Sequence, residues 1–434
     1  MRLSRPPPRA LAPLLATAIA VIALVALLVS SGQGGSEPSA RSRGLSVSVP
    51  ITHSPPVTCA PGSESAGSGG VASSTHERQS ALSSVLDATL RAARNRLHAP
   101  AATAAVVVCG RVAWADATGV LDLRSKRPAT NNTLFVLNSA AKTFVATMVM
   151  QEIQDGHLSL GTRLSHFYPW LPNASRTTVR MLLNMTSGLP DYLYTPRIEW
   201  VMDRHPRYHW TVDQVLTGLG TGLGTPRFAP GHGFQYSDTN YIVLGAILER
   251  ITHRSIQRDL QQLIAKPLGI TSMTFVPTPA AKALIAHPYL LSRDGSLTSQ
   301  WIPGFGVSSA VWGPVFTDGG LAASSLDVAR FANALLGDRL VSATAVRQMT
   351  HIGRADYGFG MRGRNFDNHY WLGHRGYFGG FEAEDWSDPS RQLTIAVGTN
   401  LQINGGDPAS TQIWEAITRA YDRQNPGTNQ PAVH

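Results

Sequence analysis

Two cysteines, four lysines and a charged fraction of 15% leave this 434-residue chain without the residues that several classes of protein depend on. Two cysteines cannot build a zinc site of their own, nor the disulfide framework that replaces a core in small secreted domains. No basic run interleaved with aromatic residues occurs, so the formal net charge of +9 does not imply a nucleic-acid partner. Residues 1–43 hold five arginines and one glutamate, and without them the excess falls to +5 and is scattered. A metalloprotease H-E-x-x-H is missing, and so is a G-x-S-x-G nucleophile elbow, whose nearest approach, Gly306-Val307-Ser308-Ser309-Ala310, ends in alanine. The glycines from Gly218 to Gly224 match neither phosphate-loop spacing and read as a flexible loop. What is present is a hydrophobic fraction of 43%, enough at this length for one large or two ordinary globular domains.

The scarcity of lysine gives weight to one tetrapeptide. In Ser139-Ala140-Ala141-Lys142 stands the only lysine with a serine three residues before it. At the start of a helix that spacing puts hydroxyl and ammonium on one side, so the amine reaches the hydroxyl. A serine needs a neighbour to take its proton before it attacks a carbonyl, and burial with nearby positive charge would lower a lysine towards that task. Read alone, the same four residues also describe an N-cap followed by a solvated lysine.

Two further elements follow in the chain. Tyr236-Ser237-Asp238 comes after a Pro230-Gly231 turn, and His374-Arg375-Gly376 after a strand-like Tyr370-Trp371-Leu372. In this order the three resemble the motifs S-x-x-K, Y-x-N and K-T-G or H-x-G of the penicillin-recognising serine hydrolases: class C β-lactamases, serine D-Ala-D-Ala carboxypeptidases, and related esterases and D-aminopeptidases. The segments Leu134–Asn138, Met181–Leu189 and Asp318–Ser324 extend the likeness, which covers residues 80 to 424. It implies an antiparallel sheet flanked by helices plus a helical subdomain, a mixed α/β fold with the active site in the cleft between them.

The resemblance also assigns roles. Ser139 is the nucleophile that forms an acyl-enzyme, and Lys142 or Tyr236 is the base. His374 stands beside Tyr236 in place of a second lysine, the amides of Ser139 and Tyr377 form the oxyanion hole, and Gly376 leaves the strand edge open to substrate. The chain departs from the family at Asp238, which stands where asparagine is common and which as a carboxylate cannot donate to a substrate carbonyl. Met185 replaces a histidine. Arg375 replaces a threonine or serine; facing inward it would grip a substrate carboxylate, and facing the other way on the strand it would meet solvent. No cofactor or metal is implied.

At the N-terminus Arg2, Arg5 and Arg9 precede an apolar run from Ala10 to Val29, with no A-x-A site after it. We expect residues 1–9 as a cytoplasmic basic segment and 10–29 as a membrane anchor rather than a cleaved signal, with the catalytic domain outside the cytoplasm in either case. Residues 30–75, rich in Ser, Gly and Pro, read as a tether, 76–424 as the hydrolase domain and 425–434 as a disordered tail. Cys59 in the tether and Cys109 at a strand end are either bridged or two free thiols. Within the domain, Leu82, Val85, Leu86, Leu90, Ala93 and Leu97 make a helical stripe closed by Pro100. Strands are expected at 104–109, 111–118, 370–372, 379–386 and 393–399, and helices at 139–154, after Tyr236, and at 409–422.

Function then reduces to three readings. The first is a cell-envelope D-alanyl-D-alanine carboxypeptidase or D-amino-acid peptidase acting on peptidoglycan stem peptides, for which β-lactams would be acylating ligands. An esterase or β-lactamase on the same scaffold is the alternative, and a non-catalytic binder of wall peptides the third.

Overall fold

A six-stranded antiparallel sheet joins the two ends of the domain. The computed structural model describes residues 69–275, 278–302, 306–307 and 316–426, with side chains from residue 77. Helix α1 (Gly69–Arg96) leads into strands β1 (Ala101–Val108) and β2 (Arg111–Gly119). The chain then leaves the sheet for a region that includes helices α2 (Ala141–Gln154), α3 (Thr239–Thr252) and α4 (Ser325–Leu336). It returns through β3 (Arg362–Phe366), β4 (His369–Phe378), β5 (Phe381–Asp388) and β6 (Leu393–Thr399), and ends in α5 (Ala409–Gln424). The strand order is β2-β1-β6-β5-β4-β3, with β1 pairing β6 from Ala102↔Thr399 to Val108↔Leu393.

Both faces of this sheet are buried, which explains why its central strands read as continuous apolar runs. Successive side chains go to opposite faces. Val106, Ile395 and Trp386 pack with α1 and α5 around Trp371 and Trp414, whose rings meet edge to face at 4.9 Å. Val107, Ala396 and Ala383 face the other way, into the larger core built by α2, α3 and α4, where Phe144 stacks on Phe331 at 3.6 Å. The stripe on α1 is buried at Leu82, Leu86, Leu90, Ala93 and Leu97, with Val85 partly covered. The mixed α/β class and the antiparallel sheet with helices on both faces are therefore as the sequence implied.

Element ends differ in instructive ways. Helix α1 runs back to Gly69, inside the segment read as tether, because no proline interrupts 69–96. Strand β4 continues from the expected 370–372 to Phe378 and turns into β5 through Gly379 and Gly380, both at positive φ, as a two-residue hairpin requires. That extension carries His374 to Tyr377 on a rigid strand. Cys109 is disulfide-bonded, while Cys59 lies outside the described residues. So do the segments 1–9 and 10–29, and no helix among the described residues is long and apolar enough to cross a membrane.

Candidate active site

Ser139 sits in a single 3-10 turn, Asn138–Ala140, immediately before α2. Asn138 adopts a left-handed conformation (φ 50°), which asparagine tolerates better than most residues. Its Nδ2 lies 3.3–3.4 Å from the carbonyls of Val136, Phe378 and Phe381, tying the nucleophile turn to the β4–β5 hairpin. One turn on, Lys142 is fully buried, and its Nζ donates to Ser139 Oγ at 3.1 Å and to the Asp318 carbonyl at 2.7 Å. It also pairs with Asp238 Oδ1 at 2.6 Å. Two hydrogen bonds and one ion pair thus hold the ammonium.

This arrangement corrects the expectation that positive neighbours would lower Lys142 towards neutrality. Burial alone would strip its charge, but the carboxyl groups of Asp238 and Asp318 outweigh burial and hold Lys142 above the usual lysine value. Asp318 reaches the lysine because Gly245 on α3 has no side chain: a Cβ there would lie 2.2 Å from Thr317 Oγ1. Asp318 accepts from the buried Tyr192 hydroxyl at 3.1 Å, and burial beside Asp238 pushes its carboxyl well up. Asp191, buried next to Asp238, is pushed up to about 8, and its Oδ2 accepts the Asp238 amide N–H at 3.2 Å. Lys142 thus touches the Asp238 carboxyl directly and lies within electrostatic reach of those of Asp318 and Asp191.

Tyr236, from the segment leading into α3, faces the same hydroxyl. Burial and the Asp238 charge raise its phenol well above the usual value, while the nearby Ser139 hydroxyl and the Arg362 guanidinium pull it down, and its own hydroxyl has no hydrogen-bond partner among the described residues. His374 is buried on β4, its ring 6.2 Å from that of Tyr236. Its Nδ1 lies 2.8 Å from the Arg375 carbonyl, which can only accept, so the proton is on Nδ1 and Nε2 carries a lone pair. Burial, Arg362 and Lys142 push its pKa well below the usual value, so it is a neutral imidazole, and Nε2 has no hydrogen-bond partner among the described residues.

Gly376 approaches the nucleophile turn so closely that a Cβ would lie 2.0 Å from the Leu137 carbonyl and 2.6 Å from the Ser139 amide. Strand β3 stops opposite Gly373, so residues 374–378 have β5 on one edge and the nucleophile turn towards the other. The amide of Ser139 is brought to that edge, and Tyr377 follows Gly376 along the strand. Arg375 is not brought in. It alternates with His374, so its side chain lies on the opposite face, where Nη1 donates to Thr411 of α5 at 3.3 Å. Strand parity thus removes the inward carboxylate grip that the sequence left open for Arg375. Asp238 is present but occupied by Lys142 rather than free.

Several site residues carry no motif. Tyr357 wedges edge-on against both Tyr236 and His374, with ring centroids 5.8 Å apart in each pair. Arg362 stands over the rings of Tyr236 and Tyr357 at 5.4 and 5.2 Å. The one sequence signal available for Arg375 was the alternation itself, since placing His374 inward fixes its neighbour outward.

A nucleophilic hydroxyl held against a buried ammonium on one side and a phenol and neutral imidazole on the other, at the edge of such a sheet, defines a serine hydrolase. A family model described as beta-lactamase matches residues 86–420, and the chain belongs to that family. Among curated relatives it is 32% identical over 220 residues to esterase EstB of Burkholderia gladioli, covering 48% of this chain and 55% of the relative. It is 25% identical over 270 residues to penicillin-binding protein 4* of Bacillus subtilis (58% and 57%). With the D-aminopeptidase of Brucella anthropi it shares 23% over 335 residues (75% and 61%). The chain thus spans less than two thirds of the length of each of these three. Among solved structures, D-amino acid amidase from Ochrobactrum anthropi superposes with a TM-score of 0.66 at 21% identity, over 80% of this chain and 99% of that one.

Proposed function

We propose that the chain is an exported hydrolase that forms an acyl-enzyme at Ser139 and cleaves amides or peptides of D-amino acids, with cell-wall stem peptides as the natural source. The observation that carries the mechanism is the ion pair of Lys142 with Asp238: an ammonium held charged by that carboxylate, and already donating to Ser139 Oγ, cannot accept a proton from Ser139. The proton then leaves by the other side. Tyr236 takes it while passing its own hydrogen to the lone pair of His374 Nε2, and Ser139 Oγ bonds to the carbonyl carbon. The oxyanion forms against the amides of Ser139 and Tyr377. Because burial and Arg362 disfavour the imidazolium, His374 readily returns its proton through Tyr236 to the leaving nitrogen as the C–N bond breaks. Water repeats the sequence on the ester, releasing the acid.

The substrate class is supported by the D-aminopeptidase relative, whose match spans 75% of this chain. Placement of Arg375 on the far face favours the D-amino-acid peptidase over a carboxypeptidase that would use it to hold a terminal carboxylate. Export is supported by the three arginines ahead of the apolar run Ala10–Val29. The test is the intact mass of the full chain and of Ser139→Ala after benzylpenicillin, together with release of p-nitroaniline from D-alanine p-nitroanilide. We expect acylation and turnover by the wild type only. Turnover by Ser139→Ala at the wild-type rate would sink the mechanism. Hydrolysis of esters without anilides would move the substrate to the esterase class, the reading that the 32% identity to an esterase favours.

A further inference from the structure

The wall of the site next to Lys142 is unusual in what it offers a ligand. Lys142 is turned to Ser139 Oγ, the Asp318 carbonyl and the Asp238 carboxylate. The amide N–H of Asp238 is consumed by Asp191 Oδ2. Asn240, which might have supplied a carboxamide two residues on, is turned into the core: its Oδ1 accepts from Ser187 at 2.6 Å and its Nδ2 donates to Met185 Sδ at 3.1 Å. Ser237 is only 1% exposed. What remains is the carboxylate of Asp238. Its side chain keeps 12% exposure, and its Oδ1, ion-paired with Lys142 at 2.6 Å, has no hydrogen-bond partner among the described residues.

We propose that Asp238 selects substrates bearing a hydrogen-bond donor, above all a free amine on the carbon next to the scissile carbonyl, over those blocked there by an acyl group. The inference rests on the hydrolase reading above and adds which D-amino-acid derivatives the site takes. An acylamino carbonyl would face a carboxylate, acceptor against acceptor, with no N–H nearby to relieve it. An amine would donate to it. A cationic amine has a second advantage, because Asp191 and Asp318 are carboxyl groups whose charge is suppressed by burial and by Asp238. An approaching positive charge favours their ionised forms, so this wall can answer a cation with more negative charge.

The test uses the full chain, wild type and Asp238→Asn, with four substrates: the p-nitroanilides and the methyl esters of D-alanine and of N-acetyl-D-alanine. For the wild type we expect kcat/KM to favour the free amine by about tenfold to a hundredfold, the worth of one hydrogen bond to a charged group. In Asp238→Asn, whose carboxamide can donate, the ratio should move at least about tenfold towards the acetylated substrates. A loss of folding or of positioning in the variant would lower both rates together and leave the ratio where it was, which counts against the proposal. So does a wild type that prefers the acetylated compounds. If only the esters are cleaved, their ratio still decides the role of Asp238, while the peptidase reading falls. If nothing is cleaved, both fall.

Discussion

The contact between Gly376 and the nucleophile turn allows a perturbation worked through from the structure. In Gly376→Ala the new methyl would stand 2.0 Å from the Leu137 carbonyl oxygen, 2.6 Å from the Ser139 amide and 2.9 Å from the Ala140 amide. All three are backbone atoms, so no side chain can swing aside. Restoring ordinary carbon–oxygen contact demands a separation of roughly 1 Å between β4 and residues 137–140. β4 is held between β5 and α5, and Asn138 ties the turn to the hairpin, so the displacement falls on Ser139 and its amide. A misplacement of about 1 Å at the reacting group costs on the order of a hundredfold in kcat/KM. Overpacking should also cost about 1–3 kcal/mol of stability. The assay is ester or anilide hydrolysis beside urea unfolding, with Gly156→Ala as control. Gly156 has φ +80° and open space around it, so alanine there should cost about 1 kcal/mol of stability and leave the rate alone. A Gly376→Ala enzyme as active as the wild type would refute the close approach, and with it the placement of the Ser139 amide.

Two further outcomes follow from the buried charges. Asp385 is fully buried on β5 and pushed up to about 8 by burial and then by Glu384, and Asp191 is likewise raised to about 8. For both, the folded value lies above the unfolded one near 3.8, so the folded chain binds more protons and stability falls as pH rises through the window from about 4 to about 8. In Asp385→Asn that decline, read by urea unfolding at pH 5 and pH 8, should shrink by about 1 kcal/mol or more, whereas equal declines would show that Asp385 does not titrate in the fold. Removing the Arg362 guanidinium takes away a charge that holds His374 down. In Arg362→Ala the imidazole should titrate higher and the acid limb of the rate profile should move up in pH, and an unmoved limb would exclude His374 as the proton acceptor.

Of the fold, the elements with a strong local period were legible: the stripe on α1, α2 behind Ser139, α3 with its buried face, and α5. Their assembly into one sheet with β1 between β2 and β6 was not, because nothing in Ala101–Val108 specifies Leu393–Thr399 as its partner; the resemblance implied an antiparallel sheet and no strand order. Within the site, Ser139 and Lys142 announced themselves through their spacing, and Tyr236 and His374 through the resemblance. Asp191, Asp318, Tyr357 and Arg362 did not. Asp191, Tyr357 and Arg362 sit in segments of ordinary composition and arrive by tertiary packing, while Asp318 opens a segment that extends the likeness but gives no hint of the lysine it meets through the gap left by Gly245. Arg375 was read as a possible inward group although the parity of a strand that places His374 inward already decided the matter.

The charge state of Lys142 shows how much a motif leaves open. A lysine buried alone would become neutral and could serve as a base. Here the same burial is outweighed by Asp238 and Asp318, and the ammonium becomes a fixed donor that orients Ser139 Oγ rather than deprotonating it. Breaking such a buried pair from one side is expensive, about 3–5 kcal/mol, so Lys142 and Asp238 hold each other in these states. On the mechanism proposed above, base duty passes to Tyr236 and His374, whose Nε2 lone pair is open. The residue that fixes the protonation of Lys142 is also the one that faces the substrate. Replacing Asp238 by asparagine therefore alters two properties at once: it offers a donor to the ligand, and it removes the anion that keeps Lys142 charged. An absolute rate mixes these effects. In the ratio between amine and acetylated substrates the two effects oppose each other, because a neutral Lys142 would repel a cationic amine less, so a shift towards the acetylated compounds reports the donor.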